Sequence, residues 1–284
     1  RYIYIPAQLM FTGFKNVTGE MLFSPGFSKG TAAHATLKNA LKSALMESVE
    51  ADAFCIGWYA KTYARRIIVD NENLLDLIDS IVGDIDCEVF PFEYSLPDMP
   101  GYSVGVALLS NNGKRPAVVV GCQTDLSPIK ALYKALLEAL AIYYLATNGP
   151  LLMPHLYLKK VTNNNFNNLD TNVSLWASTE NYQEKKEFFY TWCKDKVLLS
   201  ALESQESGSA EEEISDILSK LRKKSEYGVY LDITPPEVHN KGWKVVRTFF
   251  PELVQMCLPS FPYSNHPRMQ EFGGIKNGLP HPVP

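Results

Sequence analysis

Three side chains in the stretch 29–58 have the residue types and the spacing of a site for a cation. Ser43, Glu47 and Glu50 stand at relative positions 0, 4 and 7 of a long helical pattern. At about 100° per residue they fall within roughly 60° of each other, on a stripe about 10 Å long. Two carboxylates three residues apart repel each other, and a cation between them would remove the conflict. The alternative interpretation is a solvated acidic face.

A second carboxylate with an unusual setting is Glu138. From residue 135 to residue 146, all residues except Glu138 are apolar or aromatic, so this part of a helix is predicted to be buried. An ionised glutamate buried without partners costs several kcal/mol. Glu138 therefore requires a cation, a hydrogen-bonding network or a raised pKa. The competing interpretation is a core carboxylate satisfied by a backbone N–H, a lysine or an arginine.

The elements that position these residues follow from periodicity and turn signals. The first helix follows the turn Ser28-Lys29-Gly30, and the second begins at the N-cap Ser127 with Pro128 at its first position and ends at Gly149-Pro150. Residues 1–28 are β-like and rich in turn residues, and Asn112-Gly113 predicts a hairpin. The other predicted elements are helices over 73–82 (Leu74, Leu75, Leu77 and Ile78 inward), 180–203 and 211–224, and strands over 87–94, 102–109, 117–121, 227–233 and 243–249.

This order of elements predicts an α+β fold with mixed or antiparallel sheets that carry the two glutamate helices. The hairpins favour antiparallel pairing, and a regular alternation of strand and helix is absent. We expect one domain over 1–284, with 159–225 as a variable excursion. Within it, Asn163, Asn164, Asn165, Asn167, Asn168 and Asn172 form a tract that predicts a surface loop.

Composition excludes several classes of function. The 284 residues are 46% hydrophobic and 12% aromatic, which is ample for a sizeable core. A net charge of −4 does not provide the positive field that nucleic-acid binding requires. The sequence contains no run of about 20 apolar residues, so no membrane span is predicted. The five cysteines lie far apart without a Cys-x-x-Cys pair, so we expect reduced thiols in the cytoplasm. Because the chain starts at Arg1, we expect it to be the C-terminal portion of a longer protein.

The last residues carry a separate signal. Pro280, Pro282 and Pro284 alternate with His281 and Val283. Alternate prolines fix φ near −65° and favour a stiff polyproline II strand. A disordered end is the alternative explanation for the same composition.

Four motifs in this order resemble the YcaO-domain family. Ser43-Ala-Leu-Met-Glu47-Ser-Val-Glu50 is similar to the family signature Ser-Ala-Leu-x-Glu-x-x-Glu-Arg, and Ala135-Leu-Leu-Glu138, preceded by Asp125, is similar to its second Ala-Leu-x-Glu helix. The others are Asp232-Ile-Thr234 with Val245-Val246-Arg247 and Pro251, and the Pro280-x-Pro282-x-Pro284 end found in the azoline-forming members. The resemblance spans most of 28–284 and is weakest over 159–225.

The resemblance implies an ATP- and Mg²⁺-dependent cyclodehydratase that converts Ser, Thr or Cys of a ribosomal precursor peptide into oxazoline or thiazoline. ATP would phosphorylate the backbone amide oxygen. By resemblance, Glu47, Glu50 and Glu138 hold Mg²⁺ and nucleotide, because Mg²⁺ prefers hard oxygen ligands. Lys29 contacts phosphate and Ser43 contacts nucleotide or metal-bound water. We expect the terminal carboxylate of Pro284 to reach the reacting peptide, with Pro280, His281 and Pro282 lining the site.

The resemblance also implies partners. These are the precursor peptide and a subunit that captures its leader. A flavin dehydrogenase and a second copy of the chain are further partners that the resemblance allows. Two positions depart from the family pattern, because Ala51 replaces an arginine and Ala141 a glutamine. Arg65, Arg66 or Arg115 are the candidate substitutes. Two alternatives stay open: other amide-activating chemistry such as thioamide formation, and a non-catalytic scaffold that binds peptide or partner.

Overall fold

The computed structural model describes residues 4–15, 19–21, 26–157 and 169–284. The strands in these ranges are β1 (Thr31–His34), β2 (Arg65–Ile68), β3 (Cys87–Glu93), β4 (Tyr102–Ser110), β5 (Val118–Asp125), β6 (Asp195–Leu198), β7 (Val229–Asp232) and β8 (Lys244–Phe249). The helices are α1 (Ala7–Met10), α2 (Leu37–Tyr59), α3 (Glu72–Val82), α4 (Pro128–Leu152), α5 (Pro154–Tyr157), α6 (Leu169–Ala177), α7 (Tyr182–Trp192), α8 (Ala210–Leu221), α9 (Pro236–His239) and α10 (Pro267–Glu271). The predicted α+β class with mixed sheets is confirmed.

The chain divides into two compact units. Unit 1 consists of Arg1–Asp52, Asp98–Pro100 and Ser207–Met256, and unit 2 consists of Ala53–Pro97, Gly101–Glu206 and Cys257–Pro284. The first part of α2 therefore belongs to unit 1 and its last two turns to unit 2. The segment 159–225, which we expected to be an excursion, contributes residues to both units.

Unit 1 is built on a three-stranded antiparallel sheet in the order β1-β8-β7. Val246 at the centre of β8 is fully buried against Ala40 and Ala44 of α2, small residues that let the helix approach the sheet closely. Ile217 and Leu221 give α8 its buried face. The sheet and α2 together form the frame on which the first candidate carboxylates lie.

Unit 2 contains a five-stranded sheet in the order β5-β4-β3-β2-β6. Only β2 and β6 pair in parallel among these neighbours, and the predicted Asn112-Gly113 connection does join the antiparallel strands β4 and β5. Helix α4 packs on β4 and β5 through Ala135 and Ala139, both fully buried. Its N-cap is Ser127, as predicted, which accepts a hydrogen bond from the backbone N–H of Lys130.

Helix α4 differs from the prediction of a helix buried on all sides. Leu137 and Tyr144 are 42% and 60% exposed, so the face opposite the sheet is apolar but open. The helix also continues past Gly149 to Leu152, with Pro150 in its last turn. In the described part of the chain, α4 alone is long and apolar enough to cross a membrane by length and composition. Its packing on β4 and β5 also fits a core helix.

Several predicted elements were wrong at the start of the chain and in one helix. Residues 31–34, expected to be helical, form β1, because they pair with β8 at an edge of the sheet of unit 1. The described residues before 28 contain the short helix α1 and no strand. In α3, Leu74 and Ile78 are buried as expected, whereas Leu75 and Leu77 are about 40% exposed.

The prediction also failed in part of the segment 159–225. The expected helix over 180–203 ends at Trp192, and β6 follows it. Asn172 does not lie in a surface loop: it is a fully buried residue of α6. The rest of the asparagine tract, 163–168, lies outside the described residues. All five cysteines lie within the described residues, and none of them forms a disulfide.

Candidate functional site

The carboxylates of Glu47 and Glu50 converge on one ammonium group in unit 1. Lys29 Nζ forms a short ion pair with Oε1 of Glu50 and lies 3.6 Å from Oε2 of Glu47. The side chain of Glu50 is 2% exposed, whereas those of Lys29 and Glu47 are 20% and 25% exposed. The helical spacing therefore does place both carboxylates on one stripe, and Lys29 is the cation that relieves their repulsion.

The turn before β1 fixes the position of Lys29. Gly30 has a φ of +85°, a left-handed conformation that favours glycine. A Cβ on Gly30 would lie 2.8 Å from the backbone oxygen of Thr248 and 3.0 Å from Oγ of Ser48. Thr248 binds the turn and the helix together, because its N–H donates to Gly30 O at 2.8 Å and its hydroxyl donates to Ala44 O at 2.8 Å. The Lys29 backbone is thus held between β8 and α2.

Arg247 is a second cation that sequence reasoning did not assign to the site. Arg247 and Lys29 line one narrow cleft of unit 1 with Gln8, Phe27 and Gln255. The guanidinium donates to Thr31 Oγ1 at 2.8 Å and to Leu9 O at 3.0 Å, and burial lowers its pKa. Within the described residues its Nε atom is buried without a hydrogen-bond partner. The signal was present in the Val245-Val246-Arg247 segment of β8.

Ser43 lies one turn before Glu47 on α2 and is half-buried. It shares the stripe of the two glutamates, as the helical spacing predicts. The structure therefore keeps Ser43, Glu47 and Glu50 together on one face.

The chemistry of the pair fits a divalent cation. In the ranges that the structure describes, no three His, Cys, Asp or Glu side chains form a group that would hold a metal. Mg²⁺ is commonly bound by one or two carboxylates together with substrate phosphates and waters. Glu47 and Glu50 supply two hard oxygen ligands that already converge on a positive charge, so the residues present fit Mg²⁺ with a polyphosphate.

Glu138 has a different environment in unit 2. Its Oε2 accepts a hydrogen bond from the backbone N–H of Cys122 at 2.7 Å. Gly121 allows this contact, because a Cβ there would lie 2.3 Å from Ala135 O and from Ala139 N of α4. Of the alternatives for Glu138, the hydrogen bond to a backbone N–H is thus present. Its convergence with Glu47 and Glu50 on one metal stays a prediction.

The C-terminal segment, residues 279–284, lies within unit 2. His281 and Pro282 are buried, Pro280 is half-buried and Pro284 is exposed. His281 Nε2 lies 2.9 Å from Cys257 O, and Nδ1 lies 3.0 Å from Val283 O. Complete burial lowers the pKa of His281 to about 4, although both carbonyl contacts raise it. Because burial prevails, the neutral imidazole is the stable form at neutral pH.

The arginines considered as substitutes for the missing family residues have partners in unit 2. Arg65 donates two hydrogen bonds to Oε2 of Glu93, at 3.1 and 2.9 Å. Arg66 pairs with Glu88 at 2.9 Å and stacks on Phe90 at 4.5 Å from the ring centre. Arg115 donates to Ser174 Oγ at 3.3 Å. Both Arg65 and Arg66 are therefore already neutralised by carboxylates.

Comparison with models of protein families identifies the family of this chain. A family model described as YcaO cyclodehydratase, ATP- and Mg²⁺-binding, matches residues 1–254. The chain belongs to the YcaO family. The match includes the three motifs that lie before residue 254 and does not extend to Pro280-x-Pro282-x-Pro284. Comparison with curated protein sequences gave no significant match.

Solved structures share the YcaO fold at low sequence identity. A heterocyclase in complex with substrate and cofactor matches with a TM-score of 0.68 and 16% identity over 89% of this chain and 31% of that chain. YcaO from Methanopyrus kandleri, bound with AMPPCP and Mg²⁺, matches with a TM-score of 0.63 and 18% identity over 87% of this chain and 62% of that chain. The E. coli microcin synthetase McbBCD complex with pro-MccB17 bound matches with a TM-score of 0.55 and 20% identity, over 80% and 55% of the two chains. The present YcaO chain spans about a third of the length of that first heterocyclase.

Proposed function

We propose that this YcaO protein is an azoline-forming cyclodehydratase, which uses ATP to convert Cys, Ser or Thr of a ribosomal precursor peptide into a thiazoline or oxazoline. The convergence of Glu47 and Glu50 on Lys29 carries this proposal, and Lys29 also lines a cleft of unit 1 with a second cation, Arg247. Two carboxylates beside two cations match the charges of Mg²⁺ and a polyphosphate.

Each side chain has a role in this proposal. Glu47 and Glu50 are Mg²⁺ ligands, and Lys29 and Arg247 bind phosphate oxygens. Ser43 contacts the nucleotide or a metal-bound water, and Glu138 keeps the nucleotide-binding role that the family resemblance implies. When bound, Mg²⁺ neutralises the charge of the phosphates during transfer.

The proposed reaction is a dehydration. The thiol sulfur or the hydroxyl oxygen of the peptide attacks the preceding backbone carbonyl carbon and loses its proton, so that the former carbonyl oxygen becomes a hemiorthoamide oxygen. This oxygen takes the γ-phosphoryl group, and ADP leaves. The C–O bond then breaks, phosphate departs with that oxygen, and the nitrogen loses its proton to form the C=N bond. Phosphoryl transfer of this kind depends on positioning and charge neutralisation rather than on covalent catalysis by the protein.

The C-terminal segment and the partners complete the proposal. A rigid segment beside the reacting peptide is formed by Pro280, His281, Pro282 and Pro284. The burial of His281 and Pro282 supports this role. The protein works in the cytoplasm with a subunit that captures the leader of the precursor, and a flavin dehydrogenase completes azoles where they are formed. The microcin synthetase relative, which was solved as a complex with pro-MccB17, supports a multisubunit arrangement.

A direct test measures loss of water from the precursor peptide encoded beside the gene, with the adjacent leader-binding protein, Mg²⁺ and ATP present. We expect the wild-type protein to dehydrate the peptide with stoichiometric release of phosphate. Glu47→Gln should lower this rate at least about 100-fold, because it removes a metal ligand. Glu213→Gln is the matched control, since Glu213 is also a lysine-paired carboxylate of unit 1, 2.7 Å from Lys42. Dehydration without ATP, or equal loss in both variants, would contradict the proposal.

One observation favours a second candidate, a non-catalytic scaffold that binds peptide or partner. Ala51 and Ala141 replace the arginine and glutamine expected from the resemblance, and Arg65 and Arg66 are already paired. A scaffold would bind the precursor peptide but release no phosphate, and Glu47→Gln would change neither property. The same assay therefore separates the two functions.

A further inference from the structure

The backbone of the C-terminal segment is held by side chains rather than by a strand partner. Prolines at 280, 282 and 284 have no N–H, so the segment offers carbonyl oxygens to its surroundings and few donors. Buried carbonyl oxygens need donors. In unit 2 those donors come from residues of α2 and α6.

Three side chains supply these donors. Trp58 Nε1 donates to Leu279 O at 2.8 Å, and Trp176 Nε1 donates to Pro280 O at 2.9 Å. Asn172 Nδ2 donates to the carbonyl oxygens of both His281 and Val283, at 2.6 and 2.7 Å. Four of the five carbonyl groups from 279 to 283 are therefore bound by side chains.

The placement of Asn172 and Trp176 suits this function. They stand four residues apart on α6 and so share one helix face. Asn172 is fully buried and Trp176 is 2% exposed. The amide of Asn172 can face the segment in only one orientation, because the other would set Oδ1 against two carbonyl oxygens. In the described part of the chain this Oδ1 is buried without a hydrogen-bond partner. The amide therefore donates to the segment while its oxygen accepts no hydrogen bond.

We propose that Asn172 and Trp176 are positioning residues that hold the backbone of 280–283 and thereby fix Pro284 for catalysis. This inference rests on the azoline-forming function proposed above. It gives α6 a specific role in a segment of the chain where the family resemblance is weakest. The two residues act through the segment and do not touch the reacting peptide.

The aromatic surroundings offer a matched control. Trp176 and Trp192 both belong to an aromatic cluster with Trp58 and Phe188, and each packs edge-on against Trp58, at 5.4 and 5.8 Å between ring centres. Trp192 Nε1 donates at 2.8 Å to Thr62 O, which lies outside the C-terminal segment. Tryptophan-to-phenylalanine changes at the two positions therefore remove the same ring and donor, but only one removes a donor to the segment.

Hydrogen exchange of the full-length protein tests the holding role without any activity. We expect Trp176→Phe to increase exchange at the amides of Leu279, His281 and Val283 about tenfold, while Trp192→Phe leaves it unchanged. Asn172→Ala should give the same increase at His281 and Val283. Unchanged exchange in both α6 variants, or an equal increase in Trp192→Phe, would overturn the proposal.

The dehydration assay with the precursor peptide tests the catalytic consequence. In Trp176→Phe and Asn172→Ala we expect kcat to fall about tenfold with an unchanged KM for ATP, because the nucleotide ligands stay in place. An unchanged kcat despite increased exchange would overturn the positioning role. A wild-type protein that fails to dehydrate the peptide would defeat the proposed function alone, since the exchange comparison still decides whether α6 holds the segment.

Discussion

His281 is a buried side chain of the C-terminal segment whose protonation is controlled by its burial. Both ring nitrogens face carbonyl oxygens, an arrangement that a charged imidazolium would satisfy twice. Burial opposes this charge more strongly and lowers the pKa to about 4. The neutral ring can donate only one hydrogen bond, and the oxygen of Val283 also accepts one from Asn172.

This residue predicts a pH dependence of stability. The unfolded chain protonates His281 near pH 6.5, whereas the folded chain protonates it only near pH 4, so the free energy of unfolding should fall as the pH drops through this window. The loss amounts to about 3 kcal/mol by pH 4. The free energy of unfolding, measured with urea between pH 7 and 4, should change less steeply with pH for His281→Gln than for the wild type. His239→Gln, at an exposed histidine, should keep the wild-type slope. Equal slopes in all three proteins would contradict this account.

At the same scale, the sequence predicted the acidic pair but not all its neighbours. Helical spacing was enough to place Ser43, Glu47 and Glu50 on one stripe. Lys29 was expected as a phosphate ligand by resemblance, and its ion pairs with both glutamates were not anticipated. Arg247 belongs to a motif of the family resemblance but was not assigned to the site, because its place in the cleft depends on the pairing of β8 with β1.

Among the elements, the turn at Gly30 decides whether strand, helix and Lys29 meet. Gly30→Ala should lower the free energy of unfolding by about 3 kcal/mol, because a left-handed alanine costs roughly 1–2 kcal/mol and the new Cβ meets the backbone of Thr248. The matched control is Gly242→Ala, which has a φ of +80° but nothing within 4 Å of its Cβ, and which should cost only about 1 kcal/mol. Chemical denaturation of the two variants measures the difference. Equal losses would show that the close approach to Thr248 does not matter.

The errors in element prediction have a common physical cause. Thr31-Ala-Ala-His34 reads as the start of a helix, but pairing with β8 overrides this propensity. Likewise, Leu75 and Leu77 are apolar but face solvent, because α3 packs through one stripe only. Strong signals such as the Asn112-Gly113 hairpin and the Ser127 N-cap depend on local chemistry and were therefore predicted correctly.

At the scale of the whole molecule, residues that are distant in sequence form each unit. Unit 1 joins the start of the chain to β7 and β8, and unit 2 joins the last two turns of α2, α6 and the C-terminal segment. The sequence predicted the fold class and the family because the order of its motifs survives at low identity. It did not predict the role of Asn172, since a tract of asparagines looks like a loop until the buried carbonyl groups that it serves are known.

We propose that the protein uses ATP to activate a peptide amide oxygen. A precursor peptide labelled with heavy oxygen at the backbone carbonyl before the reacting residue tests it most directly. We predict that the inorganic phosphate released with each azoline carries the label, as mass spectrometry of the phosphate would show. Unlabelled phosphate accompanying a dehydrated peptide would contradict the account.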